Sequence, residues 1–462
     1  MLPRPFLFSG CAEIRIKLLT LSRILCGAFS LVRFTTRRGS VRFRERSGMK
    51  ILLSAYACEP NKGSEPGVGW NWTLALARRG YEVHVITRSN NRPNIEGAHE
   101  PLKSRVAFHY HDLPHWARFW KYWPGGIYLY YLLWQIGAYR LAKVLHSSEQ
   151  FELVHHITFV SHRQPSFMGN LGIPFIFGPV GGGETMPRQL RKSIPWSARI
   201  AEFLRDVGSR LVAIDPLMRR TYSRAHVIAC ATEETLKAIP LRFRSKCMVQ
   251  RAIGIDGYPK SQPAVVEGSD QYEPHFLFVG RLLYWKGLNL ALHALVRVRK
   301  EIPDVKLRVI GEGSDSRWLA QVAERAKIAD AVEWIPRKPQ TELEAEYRRN
   351  IGFVFPSLHD SGGMVVIEAL AAGSPVICLN LGGPGSIVNA SCGFALQVGG
   401  KTEATVIEEL ALAMISLARE PGLRRRFSQG AVQRASEVTW DAAAEAIYSL
   451  PFIAALGCCD PK

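Results

Sequence analysis

Two carboxylates stand eight positions apart in the stretch from Ile351 to Leu396: Asp360, and Glu368 inside a short periodic segment. Gly362 and Gly363 lie between them. An apolar run ends at Phe355, and a Pro-Ser turn leads through the glycines to a helical pattern from Met364 to Ala372. Gly373 closes that helix, Pro375 to Leu379 reads as a buried strand, and a second Gly-Gly pair follows at Gly382 and Gly383. Such a strand-loop-helix unit suits anion binding. The free N–H groups of Gly362, Gly363, Met364 and Val365 form a phosphate seat, with Asp360 just before the helix and Glu368 about one turn inside it. An ionised carboxylate only accepts hydrogen bonds, so the flanking acids suit a hydroxyl-rich ligand such as a ribose or a hexose. A glycine loop with two acids is also ordinary loop chemistry, so the cations matter.

Arg281 and Lys286 follow a strand, Phe276 to Val279, and a glycine turn at Gly280; a helix from Leu288 to Lys300 comes next. Two cations just past a strand's C-terminal end are placed as a diphosphate clamp would be. The rival reading is a pair of surface charges. Another strand, VKLRVIG, leads into Gly311 and Gly313, a further backbone approach to the same ligand.

The elements that must position these residues fit a chain of 462 residues, long enough for two or three domains. Hydrophobic residues at 47% and charged residues at 21% describe a globular protein. No uninterrupted apolar run is long enough to span a bilayer. Nine scattered cysteines lack CxxC or Cys/His spacing and read as reduced thiols of a cytoplasmic protein with no metal site. The net charge of +19 points to nucleotide phosphates, an anionic membrane surface or nucleic acid as partner, or simply to a solvated cationic surface.

In chain order, residues 1–48 carry a net charge of +8 and read as a basic extension, disordered or not native, because a buried-strand pattern starts at once after Met49. A membrane-surface anchor is its functional rival. An N-terminal Rossmann-like domain, 49–258, opens with strand Ile51 to Tyr56, a loop carrying Gly63, Ser64, Gly67 and Gly69, a helix Trp70 to Arg79 and a strand Glu82 to Thr87. The loop is not G-x-G-x-x-G, and no acid follows the second strand, which argues against a dinucleotide oxidoreductase. Between Tyr110 and Tyr139 lie eleven aromatic residues, among them Trp116, Trp120, Trp123, Tyr130, Tyr131 and Trp134. They suit a core helix, a membrane interface or a sugar-stacking surface; nothing else speaks for nucleic acid. His156 ends a strand as a polar cleft residue or a structural one, and Gly181, Gly182 and Gly183 follow another strand. Arg188 to Arg224 holds nine Lys/Arg against three Asp/Glu, a helical surface facing solvent, an anionic acceptor or a membrane. A Pro/Gly-rich linker, 259–273, precedes a second α/β domain, 274–435, and a last helix near Trp440 belongs to 436–462.

Together the segments FVGRLLYWKG, VIGEGSD, FPSLHDSGGMVVIEALAAGSPVI and REPGLRRRFSQGAVQRASEVTWDAAAEAIY resemble a family 4 retaining glycosyltransferase of the GT-B fold. The opening SAYACEPNKGSEPGVGWNW is similar to that family's N-terminal glycine loop. The resemblance implies two Rossmann-like, doubly wound parallel-sheet domains facing across a cleft. The second would hold a nucleotide-diphosphate sugar, a co-substrate rather than a cofactor, and the first a saccharide or lipid-linked acceptor. The final helix would cross back to the first domain. By motif position Arg281 and Lys286 would bind the donor diphosphate, Glu368 the ribose hydroxyls and Asp360 the sugar hydroxyls. Transfer would proceed with retention and without a metal, the cations and helix dipole stabilising the leaving group.

Two departures stand out. The family's first acid is usually Glu, and Asp360 is shorter by one methylene. Many members carry Thr-Phe-His where this chain reads Phe177-Gly178-Pro179, so the Gly181 to Gly183 backbone or His156 would replace the histidine contact. They motivate a rival, a degenerate GT-B protein that binds sugar or a partner without turnover. A glycoside hydrolase using Asp360 and Glu368 is a third reading, in which the cation pair would have no purpose. The basic, aromatic first domain favours a cell-envelope acceptor and a peripheral position at the inner face of the membrane.

Overall fold

The computed structural model describes residues 48–98, 104–122, 126–256 and 274–456. The basic extension, apart from Gly48, lies outside the described residues, as do the linker 259–273, Trp123 and the tail beyond 456.

Two parallel sheets organise the rest. The first contains β1 (Lys50–Ser54), β2 (Glu82–Arg88), β3 (Val106–His111), β4 (Leu153–His156), β5 (Phe175–Val180), β6 (Val227–Cys230) and β7 (Cys247–Val249), in spatial order β3-β2-β1-β4-β5-β6-β7. The second contains β8 (His275–Val279), β9 (Lys306–Ile310), β10 (Val332–Ile335), β11 (Gly352–Phe355), β12 (Val376–Leu379) and β13 (Gly393–Leu396), in order β10-β9-β8-β11-β12-β13. Helices cover both faces, so central strands are continuous apolar runs; Phe276, Leu277 and Phe278 of β8 are fully buried. This is the α/β, doubly wound, two-domain GT-B architecture. In each sheet the order reverses beside the first strand, between β1 and β4 and between β8 and β11. Loops leaving the carboxyl ends of those neighbours part to opposite faces and leave a crevice.

Several elements differ from expectation. The first helix begins at Ser64, not Trp70, and runs to Arg78, so Gly67 and Gly69 are helical rather than loop residues. A side chain at Gly69 would strike the Ala57 carbonyl, so this glycine permits close helix-to-loop packing and no ligand contact is needed to explain it. Of the aromatic run, Tyr130, Tyr131 and Trp134 lie on helix Gly126–Glu149 and are buried around Tyr56, whereas Trp116 is exposed. Helix Trp440–Tyr448 packs on helix Ser64–Arg78. Its Tyr448 hydroxyl lies 2.9 Å from Nδ1 of His155 on β4, and Asp441 accepts a hydrogen bond from Arg78 at 3.1 Å. Among the described residues five cysteines are unpaired thiols, and no helix is long and apolar enough to cross a membrane.

Candidate active site

β8 and β11 pair directly, so the loops at their C-terminal ends leave side by side. Gly287 ends the β8 loop at φ +73°, where a Cβ would stand 1.9 Å from the Pro356 carbonyl of the β11 loop. Only glycine allows that approach. The Trp285 carbonyl then accepts from Leu358 N at 2.8 Å and from the Ser357 hydroxyl at 3.2 Å. This stitching brings the Lys286 ammonium onto the Asp360 carboxylate as a hydrogen-bonded ion pair. Asp360 also accepts from Gly362 N at 3.2 Å. Burial opposes its ionisation, but Lys286 and the Gly362 N–H outweigh it and hold Asp360 below the usual carboxylate range.

Helix Met364–Ala371 starts at Gly363, whose φ of +82° turns the chain into it. Val366 and Ile367 donate to the Gly363 carbonyl, leaving the N–H groups of Met364 and Val365 without a partner among the described residues. Both residues line the cleft, as do Gly311, Gly313 and Arg281. Arg281 makes no side-chain hydrogen bond or ion pair among the described residues. Glu368 is buried at the cleft wall, accepting from Gln340 Nε2 at 2.9 Å and the Tyr347 hydroxyl at 3.3 Å. Burial, only partly offset by these two bonds, raises its pKa above the ordinary glutamate value.

The first domain supplies the facing wall of one cleft of about 1440 Å³, through Gly63, Ser64, Gly181 and Gly182. Gly183 and His156 are not among its lining residues. Gly183 N donates to the Thr235 hydroxyl at 3.2 Å. His156 is fully enclosed, 2.8 Å from the Tyr131 hydroxyl, and burial lowers its pKa to about 3, so it is a neutral core residue. His156 therefore cannot stand in for the missing histidine contact, and of the three glycines only Gly181 and Gly182 remain to do so.

The sequence reading passed over Glu184, Ser361, Glu202 and His359. Glu184 accepts from the Thr232 and Thr235 hydroxyls at 2.6 and 2.7 Å, from Gly182 N at 2.9 Å and from the Ser361 hydroxyl at 2.5 Å. Burial opposes its charge, yet these donors keep its pKa low. Glu202, on helix Trp196–Leu211, accepts from the Tyr284 hydroxyl at 2.9 Å and faces His359 Nε2 at 3.0 Å. Both acids come from the first domain and bind partners in the second. An acid directly after a Gly-Gly-Gly run was a signal that could have flagged Glu184. Nothing local could have flagged Glu202.

A smaller compartment of about 540 Å³ adjoins the cleft and shares Arg281, Lys286 and Asp360 with it. Arg163, Arg205, Tyr128 and Leu204 of the first domain line its other side. The only group of metal-ligand geometry among the described residues, Glu82, His84 and Glu149, lines neither space and already has Lys50 against both glutamates.

Residues 264–434 match the family described as glycosyl transferases group 1. The matched stretch lies almost wholly in the second domain. It contains Arg281, Lys286, Asp360 and Glu368. The chain is 34% identical over 172 residues to the glycogen synthase of Mycobacterium tuberculosis, 37% of this chain and 40% of that protein. It is 31% identical over 185 residues to the D-inositol 3-phosphate glycosyltransferase of Segniliparus rotundus, 39% of this chain and 40% of that one. The chain thus spans about two fifths of the length of the curated relatives it matches. Among solved structures, WaaG, a glycosyltransferase involved in lipopolysaccharide biosynthesis, aligns with TM-score 0.53 at 16% identity over 87% of this chain and 99% of its own. Anabaena HepE in complex with UDP aligns with TM-score 0.54 at 15% identity, over 87% and 100%. These likenesses show the fold alone, and they reach beyond the matched stretch to the first domain as well.

Proposed function

We propose that the protein is a retaining glycosyltransferase that moves a sugar from a nucleoside-diphosphate sugar to a saccharide or lipid-linked acceptor of the cell envelope. The observation that carries this reading is the convergence, at one switch point, of Arg281, the Lys286–Asp360 pair and the free N–H end of helix Met364–Ala371. The donor diphosphate sits against Arg281, Lys286 and that helix end, all positive. Glu368 accepts from the ribose hydroxyls and Asp360 from the sugar hydroxyls. As the glycosidic bond breaks, charge grows on the leaving diphosphate, and these fixed cations and dipoles stabilise it without a metal. The group 1 match and the UDP complex of HepE support the donor class. The net charge of +19 supports work at an anionic membrane surface on the cytoplasmic side.

A thermal-shift screen across nucleoside diphosphates and their sugars tests the reading. A bound donor at a hundred times its Kd raises stability by about 2.7 kcal/mol. The wild type should shift with at least one nucleotide, and Lys286→Ala and Glu368→Ala should lose that shift. No shift with any nucleotide, or an undiminished shift in both variants, would overturn it.

A further inference from the structure

Helix Trp196–Leu211 is amphipathic in the reverse of the usual sense. An apolar stripe of a surface helix normally faces the core. Here Ala198 and Glu202 face the protein, and the stripe faces outward. Trp196, Ile200, Phe203, Leu204 and Leu211 recur at helical spacing, with exposures of 75, 50, 62, 62 and 54%. Ile214, in the following turn, is 69% exposed. A contiguous exposed apolar face of this kind marks a docking surface.

The helix and the chain that flanks it, 188–224, are cationic, with Arg199 and Arg210 on the helix itself. Arg188, Lys192, Arg199, Arg210, Arg219 and Arg220 are exposed. No acid between 188 and 224 offsets them at the surface. Glu202 is turned inward to Tyr284 and His359, Asp206 is paired with Arg191 at 2.9 Å, and Asp215 caps helix Pro216–Arg224 through Leu217 N at 2.8 Å. Leu204 and Arg205 of the same helix line the smaller compartment beside Lys286 and Asp360, so the face borders the mouth of the site. The Glu202 contacts, and a 2.8 Å hydrogen bond from Asn289 to Ser193, hold this region to the second domain.

We propose that this face seats the protein on an anionic phospholipid bilayer, the apolar stripe entering the headgroup boundary and the arginines engaging lipid phosphates. Charge selects this occupant. A second copy docked symmetrically would bring two cationic segments together. With the mouth of the site at the bilayer, the acceptor is lipid-linked rather than a free saccharide. That assignment of acceptor class rests on the glycosyltransferase reading; the membrane seat does not.

The test is co-sedimentation of the full chain with phosphatidylcholine vesicles, with and without phosphatidylglycerol, at low and high salt. Binding should require phosphatidylglycerol and weaken with salt. The double variant Ile200→Glu with Phe203→Glu should lose roughly tenfold or more in affinity. Its melting temperature should hold, because both side chains face solvent. Arg199→Glu with Arg210→Glu should weaken binding at low salt and flatten its salt dependence. Absence of wild-type binding, or undiminished binding by the apolar double variant, would overturn the proposal. So would a wild-type dimer in sedimentation that this variant dissociates. A nucleotide thermal shift on the same preparations separates the two readings: a shift without vesicle binding removes only the membrane seat, and vesicle binding without a shift removes only the transferase.

Discussion

The Ser361 hydroxyl donates to Oε2 of Glu184 at 2.5 Å, joining the loop after β11 in the second domain to the loop after β5 in the facing one. Gly182 N lies 3.0 Å from the same hydroxyl and 2.9 Å from the same carboxylate, so the three groups close a small interdomain ring. Ser361 follows Asp360 directly. The geometry of the Asp360 loop is therefore held in part by the opposite domain.

Removing either end of this contact should cost unequal amounts. Ser361→Ala leaves Glu184 with its threonine and backbone donors and should lower stability by about 1 kcal/mol. Glu184→Ala takes the carboxylate acceptor from the Thr232, Thr235 and Ser361 hydroxyls, while Gly182 N keeps the Ser361 oxygen, and should cost about 3 kcal/mol. Urea unfolding measures both, and equal losses would contradict the ring as described. Glu184 titrates below an unfolded glutamate, so its contribution is present above the unfolded pKa and fades as pH falls through the folded one. In Glu184→Gln that acid-side loss should be smaller.

The Lys286–Asp360 pair predicts opposite effects on nucleotide binding for its two members. Lys286→Ala removes a cation from the proposed diphosphate site and leaves Asp360 buried without its counter-charge. kcat/KM should fall by roughly 10²–10³-fold. Asp360→Asn removes a negative charge beside the diphosphate site. Nucleoside-diphosphate affinity should rise by about 1 kcal/mol, roughly fivefold, while turnover falls. Titration calorimetry and initial rates together check this, and weaker nucleotide binding by Asp360→Asn would count against the assignment.

Glu368 should give donor binding its acid limb. Its pKa is raised by burial, so it protonates at a higher pH than an exposed glutamate, whereas Asp360 stays ionised. A protonated Glu368 is a poorer acceptor for ribose hydroxyls, so affinity should fall as pH drops through that raised pKa. For the fold the sign is reversed, since protonation relieves a buried charge. Glu368→Gln should keep or raise the melting temperature, lose roughly tenfold in donor affinity, and abolish the pH step. Affinities measured across pH would expose a purely structural Glu368 by an unchanged profile.

The second domain was the more legible half. Its strands are short apolar runs closed by glycine, and Arg281, Lys286, Asp360 and Glu368 fall within a few residues of those breaks. The loops of paired parallel strands meet at a switch point whatever their side chains, so position along the chain nearly equals position in the cleft. The first domain was less legible for the same reason inverted. Its glycines serve packing as well as ligand approach: Gly69 answers to the Ala57 carbonyl, Gly183 to Thr235, and only Gly63, Gly181 and Gly182 reach the cleft. His156 ends a strand as a cleft residue would, yet the Tyr131 helix closes over it.

By itself the sequence determined the fold class, the two sheets and the four charged residues that the structure brings to one cleft. These depend on apolar periodicity and on glycine at chain reversals, both local properties. Tertiary structure alone decided how Lys286 meets Asp360, how Glu184 and Glu202 bind across the domains, and which face of helix Trp196–Leu211 is outward. Those outcomes depend on contacts between residues far apart in the chain. An amphipathic pattern fixes the two faces of a helix, but only the placement of Glu202 against His359 and Tyr284 turns the apolar one to solvent.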